Sequence, residues 1–540
     1  MNRTSRLLRK ISATGPPRRD VSVNAVSRES QNPHMTVLPL KQLLLKNLRK
    51  GVSAPEALTT TYLNLLDSMA NPAAHAEVNK ATMDSFLDIY YNPTSSSNCE
   101  IPITTAQDNL VCQNDVQTGV PLTLEQKHLM DKQRYKAMRK WVRFKKEKLT
   151  SNSEECFILR LLSFNILAQH LLETYQYLYK YHDKEALPWE VRKPLLIQEI
   201  LEAQANVICL QEMQEDHLQE FLMPFKELGY EHIYKKRTND KKDGLLFLYR
   251  SDQLILLEHA KVELYQSGIE LLSRDNVGIV AKLAVRSNPD VKLVIATTHL
   301  LYSPKRNDVR LGQMQLLLAE IERIAFIENT MTGPKYLPII LSGDFNLEPF
   351  TGVYRFITEG VFQYYAKGKN LEYSDYRRLS NYLIPPRLYV TDNCQHFNVL
   401  TNRLRGNGSG RIMLENSEQC PAEDTNSLNN SEVNVNTSDF QSIEIVRGYQ
   451  ATFSSGTLTH PFNFYSVYSH QNHLGQRETT TNQGQWITVD YIFYSDLELL
   501  ESYRIPTVQE CQQLPTIPNF AVGSDHLCLG ATFKIFKKKC

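Results

Sequence analysis

The 540-residue sequence has no run of about 18 apolar residues, which excludes a transmembrane helix. It has no excess of charge. Lys and Arg number 60 against 59 Asp and Glu, so any nucleic-acid contact must use local patches rather than bulk charge. None of its nine cysteines forms a Cys-x-x-Cys pair, which argues against zinc ribbons, zinc fingers and thioredoxin-type chemistry. Their odd number and scattered positions fit a reducing compartment. Cys209 and Cys528 lie in apolar runs and read as small core residues. No secretory signal is evident, so the Asn-x-Ser/Thr matches at Asn2, Asn407, Asn429 and Asn436 are expected to stay unmodified. No leucine-rich LxxLxLxxN period or other repeat is found, which sets solenoids aside.

What is present is enough apolar material, 42% of residues, to bury a large core. The length allows two to four domains at ~100–200 residues each, although single α/β domains often run longer. The first nineteen residues carry Arg3, Arg6, Arg9, Lys10, Arg18 and Arg19 and no acid. Such a start reads as a solvated basic tail, with a mitochondrial presequence as the alternative to an intracellular, cytoplasmic location. Residues 1–121 as a whole are expected to be mostly disordered. Residues 122–155 read as a basic helix and linker. Within 122–150 ten Lys/Arg face three acids, with Tyr135, Trp141 and Phe144 interleaved. Two readings stand level here: a helix tracking a phosphate backbone, or a linker helix packing its aromatics on the next domain. Residues 156–540 read as the catalytic domain. They are interrupted at about 401–440 by a segment with eight Asn, five Ser and little apolar content, expected to be a disordered insertion.

In this last region short apolar runs alternate with helical patterns. The runs Leu159–Leu167, Ala205–Met213, Gly244–Arg250, Val277–Val285, Leu293–Leu300, Pro338–Phe345, Ile487–Tyr494 and Leu527–Phe536 have strand length and β-branched or aromatic content. Trp189–Ala203 and Leu311–Ile327 carry apolar residues at helical spacing. Alternation of this kind predicts a layered α/β architecture.

Single polar residues punctuate these strands. Asn165 sits in LLSFNIL, Glu212 follows ICLQ, and His299 closes VIATTH. Asp344 and Asn346 close IILSGDFN, Asp490 sits in ITVDYIFYS, and Asp525 and His526 open the last strand. Any one alone reads best as a satisfied core polar group. Six strand ends that carry such residues between them read as a single polar site, because isolated buried polar groups cost several kcal/mol unless they satisfy each other. Oxygen ligands without thiolates suit a hard cation, Mg²⁺ first with Mn²⁺ as the alternative. Glu212 is the best single ligand, with Asn165 beside it. Asp344 and Asn346, two apart, are expected on one side of a strand, where they hold and deprotonate a water. His526 with Asp490 stabilises charge on a phosphoryl oxygen or positions the nucleophile, and His299 adds a second donor. Together these groups make a phosphodiester hydrolase.

The set SFNIL, LQE, THL, GDFN, VDYIFYS and SDHL, in this order, resembles the endonuclease/exonuclease/phosphatase superfamily. The resemblance implies a four-layered α/β sandwich of two facing mixed sheets flanked by helices. Leu167 stands where the DNA-repair branch carries Asp, and Leu347-Glu348-Pro349 stand where inositol-polyphosphate phosphatases carry Arg. Asp243-Gly244 match the RNA branch that contains nocturnin and the carbon-catabolite-repression deadenylases, although Leu245-Leu246 replace its usual Cys-Ala. RDNVG (274–278), THLLYSPKRNDVRLGQ (298–313), SVYSH (466–470) and TVDYIFYS (488–495) are most similar to the Angel proteins of that branch.

The resemblance implies Mg²⁺ held at Glu212 with Asn165 and Asp525, and His299, Asp344, Asn346, Asp490 and His526 as catalytic residues. It implies an RNA substrate attacked at its 3′ end. Stepwise 3′–5′ exoribonuclease action of the deadenylase kind is the first expectation, and hydrolysis of a 2′,3′-cyclic phosphate at the same site is the alternative. A catalytically inactive RNA-binding scaffold is the rival class, disfavoured because Glu212, Asp344 and His526 are all present. Asn276, Lys305, Arg306 and Arg310 are the substrate-binding candidates. The last three read as a phosphate clamp following His299, against a plain solvated turn capped by Asn307 or Asp308. Two matches to the Tyr-x₄-Leu-Φ motif that binds the cap-binding initiation factor, at Tyr249 and Tyr494, start in predicted core strands and read as chance. The sequence names no protein partner.

Overall fold

The computed structural model describes residues 122–144, 156–372, 378–406, 442–446 and 449–536. The expected N-terminal disordered stretch, and the insertion from residue 407 to 440, lie outside the described residues.

The described residues begin with helix α1 (Leu124–Met138) and strand β1 (Trp141–Arg143), then β2 (Cys156–Asn165). Helix α2 (Trp189–Glu202) leads to β3 (Val207–Gln214), and α3 (Leu218–Glu227) leads to β4 (Tyr230–Lys236) and β5 (Asp243–Arg250). Next come β6 (Leu254–Glu263), β7 (Val277–Val285), β8 (Asn288–His299), α4 (Asn307–Ala325) and β9 (Ile339–Asp344). Helices α5 (Gly352–Glu359) and α6 (Phe397–Leu404) precede β10 (Tyr465–Ser466), β11 (Asp490–Ser495), β12 (Glu498–Tyr503) and β13 (Leu529–Phe536). Each of the eight expected runs holds a strand. The strands that sequence reasoning left out include β4 and β6, which lie at sheet edges. Only Leu254 and Val262 of β6 are buried, and the residues between them are half-buried or exposed, so its apolar run is broken.

Two mixed sheets face each other. One has the order β1-β12-β13-β2-β3-β5-β4, the other β10-β11-β9-β8-β7-β6. β2 and β3 run parallel, as do β8 and β9, and the remaining pairs are antiparallel. The inner faces meet in an apolar layer that joins Leu159, Leu161, Cys209 and Phe247 of the first sheet to Ile279, Ile295, Ile340 and Ile492 of the second. Outside the first sheet lie α2 and α3, which bury Leu196, Ile200, Phe221 and Phe225. Outside the second lie α4 and α5 with Leu317, Ile321, Phe356 and Ile357. This is the four-layered sandwich. Leu245 faces the inter-sheet core and Leu246 the helix layer, so the departure from Cys-Ala changes packing alone. Cys209 and Cys528 are fully buried, as expected.

The basic segment belongs to this sandwich. A capping box between Thr123 and Gln126 starts α1. Three of its four cations are already partnered: Lys132 donates to Gln198, Lys136 pairs with Glu202 at 2.9 Å, and Arg134 pairs with Asp131 at 3.2 Å. Arg139 is buried and donates to the Arg504 and Cys528 carbonyls. β1 pairs with β12, and the Trp141 ring lies 4.2 Å under the Arg160 guanidinium. Tyr135 and Trp141 therefore pack, as the linker-helix reading expects, while Phe144 is exposed. The start of the expected insertion also shifts. Thr401–Leu404 are the last turn of α6, and Arg403 there pairs with the buried Glu322 at 2.8 Å.

Candidate active site

Strand register assembles the site before any loop does. Asp344 at the end of β9 is in register with His299 on parallel β8 and with Asp490 on antiparallel β11. Three polar side chains from three neighbouring strands thus meet at one sheet end. The close approach of β8 and β9 there requires Gly343. Its φ is +142°, and an added Cβ would stand 2.0 Å from the Thr298 carbonyl oxygen.

On the facing sheet, Asn165 closes β2 and Glu212 lies near the end of β3. Glu212 sits in a β-bulge, where pairing with β5 shifts between Leu210 and Met213, and its φ is +62°. Leu167 and Asn346 share this left-handed backbone, at +57° and +53°. Three non-glycine residues of this kind cost on the order of 1–3 kcal/mol each, and such strain clusters at functional sites.

Asn165 joins the sheets. Its Nδ2 donates to Glu212 Oε1 at 2.9 Å and to Asp344 Oδ2 at 3.0 Å. Its amide oxygen accepts from the Leu167 N–H, so it bridges the carboxylates rather than turning that oxygen towards them. Glu212 Oε2 accepts from the Ala168 N–H at 3.0 Å. Asp344 Oδ2 is the meeting point, with His299 Nε2 at 3.4 Å and His526 Nε2 at 3.8 Å. The Asp344 Oδ1 accepts from the Asn346 N–H, and Asn346 Nδ2 donates to the Leu300 carbonyl. The loop before β13 is held by Ser524, whose hydroxyl donates to the Asn165 carbonyl at 2.7 Å. It presents Asp525, which accepts from the Tyr179 hydroxyl at 2.8 Å, and His526, whose Nδ1 lies 2.8 Å from Asp490 Oδ2.

Electrostatics give these groups different roles. Burial pushes the Asp344 carboxyl up, and the Asp490 charge adds to it, to about 7. His526 loses from burial but gains more from Asp490 and Asp344, which hold it well above the ordinary imidazole range and keep it a cation. Burial and then the Arg237 charge lower His299 to about 3, so it is neutral. Burial raises Glu212, and the charges of Asp525 and Asp243 raise it further. Glu212, His299 and Asp344 each offer a ligand atom, all within 4.8 Å of one another. A divalent cation would relieve the accumulated negative charge at Glu212, so this donor set fits one. Asp344, Asp490 and His526 form a second such group, but there the imidazolium already supplies the positive charge.

The substrate-binding candidates divide. Lys305 is exposed. Arg306 forms a fork with Asp308 at 2.9 and 3.1 Å. Arg310 is 1% exposed, and its guanidinium donates to the carbonyls of Leu301, Tyr302 and Ser303 and to Asn307 Oδ1. It holds the loop after His299 from within and does not line the rim, because α4 is buried along nearly its whole length. Asn276 is also internal: it donates to the His299 carbonyl and accepts from Gln313. Neither Asn307 nor Asp308 caps α4.

Sequence reasoning missed a supporting network. Asp243 lies 3.3 Å from His170 Nε2 and pairs with Arg237. Burial raises its carboxyl, but the His170 hydrogen bond and Arg237 outweigh that and hold it at about 2. Gly244 beside it lets β4 come close, since a Cβ would meet the Lys235 carbonyl at 2.3 Å. Arg192, fully buried, donates to the carbonyls of Leu187, Ile166, Leu167 and Gly523. It thereby ties the loop after Asn165 to the loop before His526. No local motif marks Arg192 or Arg237, because their partners are far away in sequence.

A fold of two facing sheets whose ends gather these carboxylates and imidazoles defines a phosphoesterase class. A model of the Endonuclease/Exonuclease/phosphatase family matches residues 162–526, and the chain belongs to that family. Within it, the relatives include Angel proteins. The chain is 33% identical over 415 residues to human protein angel homolog 2, covering 71% of this chain and 70% of the relative. It is 28% identical over 411 residues to protein angel of Drosophila melanogaster, covering 74% and 86%. Among solved structures it resembles the crystal structure of ANGEL2, a 2′,3′-cyclic phosphatase, in complex with adenosine-2′,3′-vanadate. The identity is 32%, the TM-score 0.57, and the match covers 74% of this chain and 98% of that one.

Proposed function

We propose that this chain is a divalent-metal-dependent hydrolase of RNA 3′ ends whose substrate is a terminal 2′,3′-cyclic phosphate. The observation that carries the chemistry is the convergence on Asp344 Oδ2 of Asn165 at 3.0 Å, His299 at 3.4 Å and His526 at 3.8 Å. The choice of substrate rests on the likeness to ANGEL2, and it reverses the order of the two expectations drawn from the sequence. Glu212 with Asp344 and His299 would hold the cation, Mg²⁺ or Mn²⁺, which supplies Lewis acidity at a phosphoryl oxygen when bound.

The chain's own groups do the rest. Asp344, on which Asn165, His299 and His526 converge, is placed to accept the proton of an attacking water. As water adds to phosphorus, one ring P–O bond breaks. The leaving ribose oxygen takes a proton from the His526 imidazolium, which Asp490 orients through Nδ1. Neutral His299 keeps a ring nitrogen free of a proton and would offer it to the cation beside Glu212. Asn165 keeps Glu212 and Asp344 at fixed separation.

The test gives the purified chain and Mg²⁺ two labelled RNAs, one ending in a 2′,3′-cyclic phosphate and one in oligo(A) with a free 3′ hydroxyl. A mobility change at constant length on the first is expected. A shortening ladder on the second, with the cyclic end untouched, would replace this reading with the exoribonuclease one.

A further inference from the structure

The stretch from Tyr175 to Tyr181 reads Tyr-Gln-Tyr-Leu-Tyr-Lys-Tyr. A tyrosine at every second residue suits a strand, yet Gln176–Tyr179 form a single helical turn, so no sheet explains the alternation. Tyr179 alone turns inward, its hydroxyl 2.8 Å from Asp525 Oδ2, and pins the segment to the active site. Tyr175, Tyr177 and Tyr181 are left exposed, Tyr177 by 68%. The rings of Tyr175 and Tyr177 meet edge to face at 6.3 Å, and Lys180 Nζ stands 4.6 Å over the Tyr181 ring.

A fifth tyrosine approaches from the other sheet. Tyr302 lies three residues beyond His299 and is 54% exposed. Arg310 fixes its loop through the carbonyls of Leu301, Tyr302 and Ser303. Burial and then the nearby Tyr177 hydroxyl, followed by Asp525 and Asp344, raise the Tyr302 phenol. The two tyrosines and the site carboxylates are therefore close enough to feel one another.

Exposed aromatic rings grouped at the mouth of a phosphoester site have a specific use. Each presents a π-face to a nucleobase, and such stacking tolerates any base. We propose that Tyr175, Tyr177, Tyr181 and Tyr302 form a stacking surface for the last unpaired bases of a single-stranded RNA whose 3′ terminus lies between Glu212 and His526. This rests on the RNA reading of the site and adds a preference for an unpaired tail over a free mononucleotide. Lys180 beside Tyr181 supplies a contact for the backbone.

The experiment measures binding, not turnover. The full chain, in a chelator so that no hydrolysis proceeds, is titrated with a dinucleotide, a pentanucleotide and a decanucleotide carrying 2-aminopurine near the 3′ end. Affinity is expected to rise about tenfold per stacked base up to the pentanucleotide and then level off, with quenching of the fluorophore. Tyr177→Ala and Tyr302→Ala should each weaken the pentanucleotide about tenfold and reduce quenching, with a smaller loss for the dinucleotide. Tyr177→Phe should retain both signals, because the ring rather than the hydroxyl acts. Tyr465→Ala, an exposed tyrosine on β10, serves as the control and should change nothing. Length-independent affinity, or a pentanucleotide bound equally well by Tyr177→Ala, overturns the proposal. So does a loss that follows added salt alone and ignores the tyrosines. A chain that opens cyclic ends yet binds without regard to length would keep the proposed function and lose this surface. A tyrosine-dependent, length-dependent affinity without opening of cyclic ends would do the reverse.

Discussion

Glu212 shows how a single side chain combines strain, charge and function. Its left-handed backbone and its raised carboxyl both cost folding energy. Glu212→Ala should therefore abolish hydrolysis while the apo protein melts no lower than the wild type. The wild type should gain thermal stability on adding Mg²⁺ through preferential binding to the folded state, and the variant should not. Hydrolysis at the wild-type rate in the variant would remove Glu212 from the site. Lys305 and Arg310 separate in the same way. Arg310→Ala leaves buried carbonyls unpaired and should lower stability by about 3 kcal/mol or more. Lys305→Ala, on an exposed residue, should leave the melting temperature unchanged and weaken RNA binding only. Equal melting temperatures for the two variants would contradict the buried placement of Arg310. The strand-end residues Asn165, Glu212, His299, Asp344, Asn346, Asp490 and His526 were legible because a polar residue in an apolar strand is conspicuous. Arg310 was misread because nearness in sequence to His299 says nothing about which way a helix turns its side chains.

At the scale of elements, α1 and β1 act as the rim of the first sheet rather than as a free basic arm. Truncation to residue 151 removes the buried Arg139 from beside the half-buried Glu199, at 3.9 Å, and Trp141 from under Arg160. We expect a loss of about 3–5 kcal/mol, typical of breaking a buried charge pair, seen as a lower urea midpoint. The salt dependence of RNA affinity should change little, because three of the four cations of α1 are already partnered. A slope that falls strongly on truncation would restore the phosphate-tracking reading. The composition of this segment left two readings level, and the positions of Gln198, Glu199, Glu202 and Glu501 favour the packed one. None of these lies nearby in sequence. The helix α6 makes the same point, since a Asn-rich composition does not reveal that Thr401–Leu404 complete a helix whose Arg403 answers Glu322.

The whole molecule carries a predictable acid limit. His460 and His470 are buried, and burial lowers each to about 4 from an ordinary 6.5. The neutral ring is thus the folded form. Its contribution is complete above about pH 6.5, where both states are neutral, and is lost as the pH falls towards 4. The loss is up to about 3 kcal/mol for each ring. Replacing His470 with Gln should flatten the fall in urea midpoint between pH 6.5 and 4.5 relative to the wild type. Parallel curves for the two proteins would mean that other groups set the acid limit.

The sequence by itself determined the class of fold and the strand-borne polar residues. Periodicity, and a polar residue inside an apolar strand, are local properties that a one-dimensional reading retains. Tertiary structure alone decided which of those residues meet on Asp344 and which histidine is charged. It also placed Arg192 and Arg237, and it showed that three of the four tyrosines between 175 and 181 remain in water. Each of these outcomes depends on strand register and burial between segments far apart in the chain, and desolvation acts on a side chain only after those segments have closed around it.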